Sequence, residues 1–230
     1  MNRNEFEQKL GEFLGDLASR AEAPEMDAPP PRENDDPVVH ELVRSFLMDG
    51  APRSGVAAAM ERVRMSVVDY NELRVMLAEE TASVLPSRYP SALERCKRIR
   101  AALHGVFQRE NATSLAHLRD EPKRSARAYL DSLPGITPFV AARVALLCCG
   151  SHAFPIDTVL HGVLEQAGVV EPGLSLQTVS GRLERAIRAG EASGHYRRLE
   201  QFAHTAAGPA GQPKTAKRSR VRGARAAGKS

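Results

Sequence analysis

Asp131–Asp157 reads DSLPGITPFVAARVALLCCGSHAFPID. Its first residues end a helix, Leu133-Pro134-Gly135-Ile136-Thr137 turns the chain, an apolar helix follows, and an aspartate comes after a short loop. Pro134 cannot continue a helix, and Gly135 takes the positive φ that a sharp reversal needs. Thr137 suits an N-cap and Pro138 the first helical position. Ala141, Val144, Ala145, Leu147 and Cys148 give the next helix an apolar face down to Gly150. A corner of this kind turns its backbone N–H groups outward together, and such groups, aided by the helix dipole, suit a phosphate oxygen. The same residues also fit an ordinary helix–helix corner, and Asp157 an ordinary N-cap for a helix starting at Thr158.

Composition agrees with a helical reading. At 230 residues, with 42% hydrophobic and 26% charged side chains, the chain has enough apolar material for one or two small domains. Ala, Leu, Arg and Glu dominate, Trp is absent and aromatics reach only 5%, so an all-α fold is expected. MNRNEFEQKLGEFLGDLASR at the start is charged throughout, which excludes a secretory signal or a membrane span there. No later window is apolar enough to span a bilayer, so a soluble, cytoplasmic protein is expected. Cys96 stands alone, Cys148 and Cys149 are adjacent, and no C-x-x-C spacing occurs, which argues against a disulfide framework or a cysteine metal site. His161, His195 and His204 also lack metal-ligand spacing, so no metal or cofactor is expected.

Charge is unevenly spread. The net charge is +4, yet residues 209–230 hold seven Lys/Arg and no acid, which leaves −3 over residues 1–208. A tail of Lys, Arg, Ala and Gly is disordered by composition and contacts phosphates without reading sequence, or serves only as a solubilising end.

Taken in order, Phe6, Leu10, Phe13, Leu14 and Leu17 predict an amphipathic docking helix within residues 1–21. Residues 22–37 are rich in Pro and acid and read as a linker, and a globular unit runs from 38 to 208. Val38 to Leu47 forms a strong apolar stripe ended by Asp49-Gly50-Ala51-Pro52, and a helix follows over Ser54–Met65. Asp69 or Asn71 caps the next helix, to about Leu77. Ala92–Arg109 places Leu93, Cys96, Ile99, Leu103 and Phe107 inward and Arg95, Lys97, Arg98 and Arg100 on a solvated face. Two short helices follow, from Thr113-Ser114-Leu115 and from Glu121-Pro122, the second ending at Leu130-Asp131-Ser132. Beyond the aspartate come a buried helix to Gly168, an amphipathic helix over Ser175–Ala189 with Arg182, Arg185 and Arg188 at threefold spacing, and a closing helix packed by Tyr196, Leu199 and Phe202.

Leu133-Pro134-Gly135-Ile136-Thr137, the Ala-rich helix after it and Phe154-Pro155-Ile156-Asp157-Thr158 resemble the helix-hairpin-helix DNA glycosylases, the endonuclease III type in particular. That family shows Leu-Pro-Gly-(Val/Ile)-Gly, a helix, a short loop and then (Val/Pro)-x-Asp-Thr at matching spacing. The likeness runs from about Pro37 to Gly208 and implies a two-lobed, all-α fold. It assigns contact with double-stranded, lesion-containing DNA to Leu133, Pro134, Gly135, Ile136, Thr137, Phe139 and Arg143, and a location on the nucleoid. Asp157 matches the catalytic aspartate, which stabilises a cation-like sugar and helps activate the nucleophile once the base is extruded. The chain departs from the family at several positions. Phe139 stands where lyase-competent members carry the Schiff-base lysine, so any base removal is expected to be monofunctional. Thr137 replaces the second hairpin glycine, the family's gap-filling Gln falls near Gly50, and its His and Arg after Asp-Thr become Val159 and Gly162. The iron–sulfur cysteines are missing. The expectations are therefore an aspartate-only glycosylase, a catalytically degenerate DNA-binding module, or an interaction domain with no DNA role.

Overall fold

A computed structural model of the chain describes residues 2–20 and 29–206. The basic tail and residues 22–28 of the expected linker lie outside the described residues. Within them the chain forms eleven α-helices and one 3-10 turn, with no strand. In order these are α1 (Arg3–Arg20), α2 (Pro37–Met48), α3 (Arg53–Ser66), α4 (Tyr70–Val75), α5 (Ala78–Val84) and α6 (Ala92–Glu110). The 3-10 turn is Ala116–Arg119, followed by α7 (Lys123–Asp131), α8 (Pro138–Cys148), α9 (Thr158–Gln166), α10 (Leu176–Ala186) and α11 (Ala189–Ala206).

Two apolar cores give the molecule two lobes, and α8 serves both. Phe139, Val140, Ala141, Val144 and Ala145 pack into the first core with residues of α2–α7. Ala142 and Leu146 pack into the second, with α1 and α9–α11. A helix wedged between two cores has no solvated face, and α8 is accordingly buried from Phe139 to Leu146 rather than along one stripe. Its start is specified locally. The Thr137 hydroxyl accepts from Val140 N at 3.2 Å and Pro138 occupies the first turn. α2 is likewise buried from Val38 to Met48 and capped by Asp36, whose carboxylate also takes Leu115 N at 2.7 Å and so ties the start of α2 to the loop before α7.

α1 belongs to the second lobe. Phe6, Leu10, Leu14 and Leu17 are buried there, and Phe13 meets Phe202 of α11 edge-to-face at 5.7 Å. The sequence does not predict α5, and two side-chain placements in α6 are corrected. α5 has no strong apolar stripe to announce it, since only Ala78 and Thr81 of that helix are buried. Leu93, expected inward, is 40% exposed, because Ala102 and Val106 complete the buried face of α6. Arg95, expected on the solvated face, is buried and donates to Pro90 O at 2.8 Å and Phe46 O at 2.7 Å. It therefore satisfies a carbonyl of the last turn of α2, a group that a helix leaves without an internal partner.

Candidate DNA-binding hairpin and aspartate site

The turn between α7 and α8 is held from below by α6. Gly135 has φ +73°, and a Cβ there would lie 3.2 Å from both the Cα and carbonyl oxygen of Arg98. Across the same contact, a Cβ on Gly105 would come within 2.5 Å of Pro134 Cδ, so both glycines are demanded by close approach. Leu133 is buried as the anchor, Ile136 and Thr137 are half-buried, and Pro134 and Gly135 stand at the surface. Ile136 N closes the turn on Leu133 O at 3.3 Å. The backbone N–H groups of Gly135 and Thr137 find no acceptor among the described residues, and they sit beside the N-terminus of α8. Thr137, in the place of a second glycine, does two jobs: it caps α8 and donates to Asp49 Oδ2 at 2.7 Å. Burial raises the Asp49 pKa, against the lowering effect of that hydroxyl, and Asp157 raises it further.

Asp157 is the N-cap of α9 and is fully enclosed. Oδ1 accepts from Leu160 N at 2.9 Å; Oδ2 accepts from Gly50 N at 2.8 Å and from Arg53 Nη1 at 2.8 Å. Arg53 opens α3, donates also to Met48 O at 3.1 Å, and lies 5.8 Å above the Phe139 ring. Burial opposes the charge on Arg53, but Asp157 and Glu200 outweigh it and raise its pKa. The guanidinium thus contacts the carboxylate directly and offsets its negative charge.

Phe139 and Arg143, expected to contact DNA, do not face solvent. Phe139 is buried under Arg53, and Arg143 is fully buried at the joint of the two lobes. Its guanidinium pairs with Glu41 and donates to Ser45 Oγ at 3.0 Å, to Tyr196 OH at 3.1 Å and to Glu200 Oε2 at 3.1 Å. Burial alone would push Glu200 up, yet Arg143 and Arg53 reverse this and hold its carboxyl at about 2. Buried charges persist only when paired in this way, and these pairs tie α2, α3, α8 and α11 together. Arg182 lies beside the Phe6 ring of α1 at 5.9 Å, away from the turn's own contacts. Among the described residues no group of three His, Cys, Asp or Glu is placed to hold a metal ion, and no described helix is long and apolar enough to cross a membrane.

No protein-family model matches the chain. A curated protein, DEMETER-like protein 2 of Arabidopsis thaliana, is 29% identical over 106 residues, which is 46% of this chain but only 8% of that protein. A non-covalent endonuclease III–DNA complex superposes with a TM-score of 0.65 at 16% identity, covering 85% of both chains. The 8-oxoguanine glycosylase/lyase of Clostridium acetobutylicum, bound to double-stranded DNA, gives 0.64 at 13% identity over 89% of this chain and 71% of that one. The chain has the fold of the helical DNA glycosylases.

Within this glycosylase fold Asp157 is linked to the turn through two adjacent residues after α2: it accepts from Gly50 N, and Thr137 donates to Asp49. Arg53, Asp49 and Glu200 escaped the sequence reading. One signal pointed to Arg53: a cation in the first turn of a helix works against the helix dipole, so it needs a nearby acid. Nothing local distinguishes Arg143 from a surface arginine, because its acids come from α2 and α11.

Proposed function

We propose that this chain binds duplex DNA through the backbone of residues 133–138 and holds its candidate catalytic aspartate closed. The observation that carries the reading is the exposed corner at Gly135, where two unpaired N–H groups and the start of α8 converge. Solved glycosylase structures of the same fold, several of them DNA complexes, support it. A contact of this kind positions the duplex without reading its sequence. Asp157 then serves as a structural ion-pair partner, since Arg53 neutralises it and no solvent reaches it.

A second reading, aspartate-only removal of a damaged base, is favoured by the placement of Asp157 against Gly50, one residue from the Asp49–Thr137 link to the hairpin. It requires Arg53 to leave the carboxylate when a base enters. Phe139 supplies no amine, so neither reading includes a Schiff base.

A panel of duplexes carrying oxidised, deaminated, alkylated or mismatched bases separates the two. The expected result is salt-sensitive binding to all duplexes, no alkali-labile product and no borohydride-trapped adduct. Strand scission after alkali by the wild type, lost in Asp157→Asn of matching thermal midpoint, would establish the second reading instead. Absence of duplex binding removes both.

A further inference from the structure

The solvent side of α6 holds a feature that the hairpin does not use. Lys97, Arg100 and His104, with Ala78 and Ala101, line an open cavity of about 300 Å3. The three polar residues recur at helical spacing on one face and all are exposed. No acidic side chain lines this cavity. Some cations elsewhere are matched locally: Arg98 meets Glu94 at 3.0 Å, Arg127 meets Asp131 at 2.9 Å, and Arg64 meets Glu61 at 3.5 Å. Lys97 and Arg100 have no such ion pair among the described residues. Two cations that share one concavity repel, and an anion between them relieves the repulsion.

Position adds the second argument. Arg98, next to Lys97, is the residue on which Gly135 rests, and Gly105, next to His104, is where Pro134 rests. One face of α6 therefore seats the hairpin, and the neighbouring face, about 100° round the helix, carries the basic cavity. The stretch from Lys97 to His104 covers about 10 Å of helix axis, which matches the rise of about three base pairs. We propose that Lys97 and Arg100 form a second contact for a phosphate of the DNA backbone, beside the hairpin and along the same duplex. The proposal rests on the reading of the chain as a duplex-binding protein and names where the rest of its grip lies. Such a contact adds affinity and salt sensitivity but no base preference.

The test is duplex binding by fluorescence anisotropy over a range of salt concentrations, with the full chain and the double variant Lys97→Gln/Arg100→Gln. Both side chains are exposed, so the variant keeps the wild-type thermal midpoint. The slope of log K against log salt should become shallower by about 0.9, the contribution of one phosphate contact, and the loss should be equal for unrelated sequences. An unchanged slope, with wild-type binding intact, overturns the second contact and leaves the hairpin reading standing. No salt-sensitive binding by the wild type overturns both. Titration with inorganic phosphate, followed by the amide shifts of α6, distinguishes the remaining source: a response lost in the double variant while the duplex slope is unchanged assigns the cavity to a free anion and overturns the DNA contact.

Discussion

Arg53 decides what Asp157 can do. The pair is 2.8 Å apart with both side chains almost wholly buried, so removal of either partner strands a charge in the interior. Arg53→Met should therefore cost about 3 kcal/mol or more in urea unfolding, and a cost below about 1 kcal/mol would mean that water reaches Asp157 after all. His40 makes a second residue-scale prediction. It is buried with Nδ1 2.8 Å from the Tyr70 hydroxyl, and burial, helped by Arg44 and Arg64 and opposed by Asp35, pulls its pKa from 6.5 to about 4. A folded pKa below the unfolded one means that stability is complete above pH 6.5 and falls as the pH drops towards 4. His40→Gln should flatten the urea midpoint across that interval. Further acid loss below it belongs to Glu200, whose carboxyl must be protonated against Arg143 and Arg53.

At the scale of elements, α8 is set by its first residue. Thr137→Val removes both the cap on Val140 N and the hydroxyl that satisfies Asp49, while the β-branched shape is kept. The expected loss is about 1–2 kcal/mol, read as a shift in the urea midpoint at unchanged m-value. α1 tests the second lobe in the same way. Leu10 is 3% exposed in the core formed with α11, so Leu10→Ala should cost about 2–5 kcal/mol; a near-neutral result would mean that α1 is dispensable to that core.

For the whole molecule, the proposed duplex binding makes a prediction about the charge split between residues 1–208 and the tail. Removal of residues 209–230, with seven Lys/Arg and no acid, should make the salt dependence of duplex binding shallower. An unchanged slope would leave the hairpin and α6 as the whole electrostatic grip.

The helices other than α5, the turn at 133–137 and the caps at Asp69, Thr137 and Asp157 are legible in the chain, because each depends on residues within a few positions of itself. Resemblance to a known family added the fold, for the same local reason: Leu133-Pro134-Gly135 and Asp157-Thr158 keep their spacing along the chain. The fates of Arg95, Arg143, Phe139 and Asp157 were not legible. Arg143 finds Glu41 and Glu200 from helices far away in sequence, and Arg53 reaches Asp157 across more than a hundred residues. Whether an arginine meets water, DNA or a buried acid depends on which helices pack beside it, and periodicity along one helix carries no record of that. The hairpin could therefore be read from the chain, whereas the closure of its aspartate follows from long-range ion pairing that only the packed lobes create.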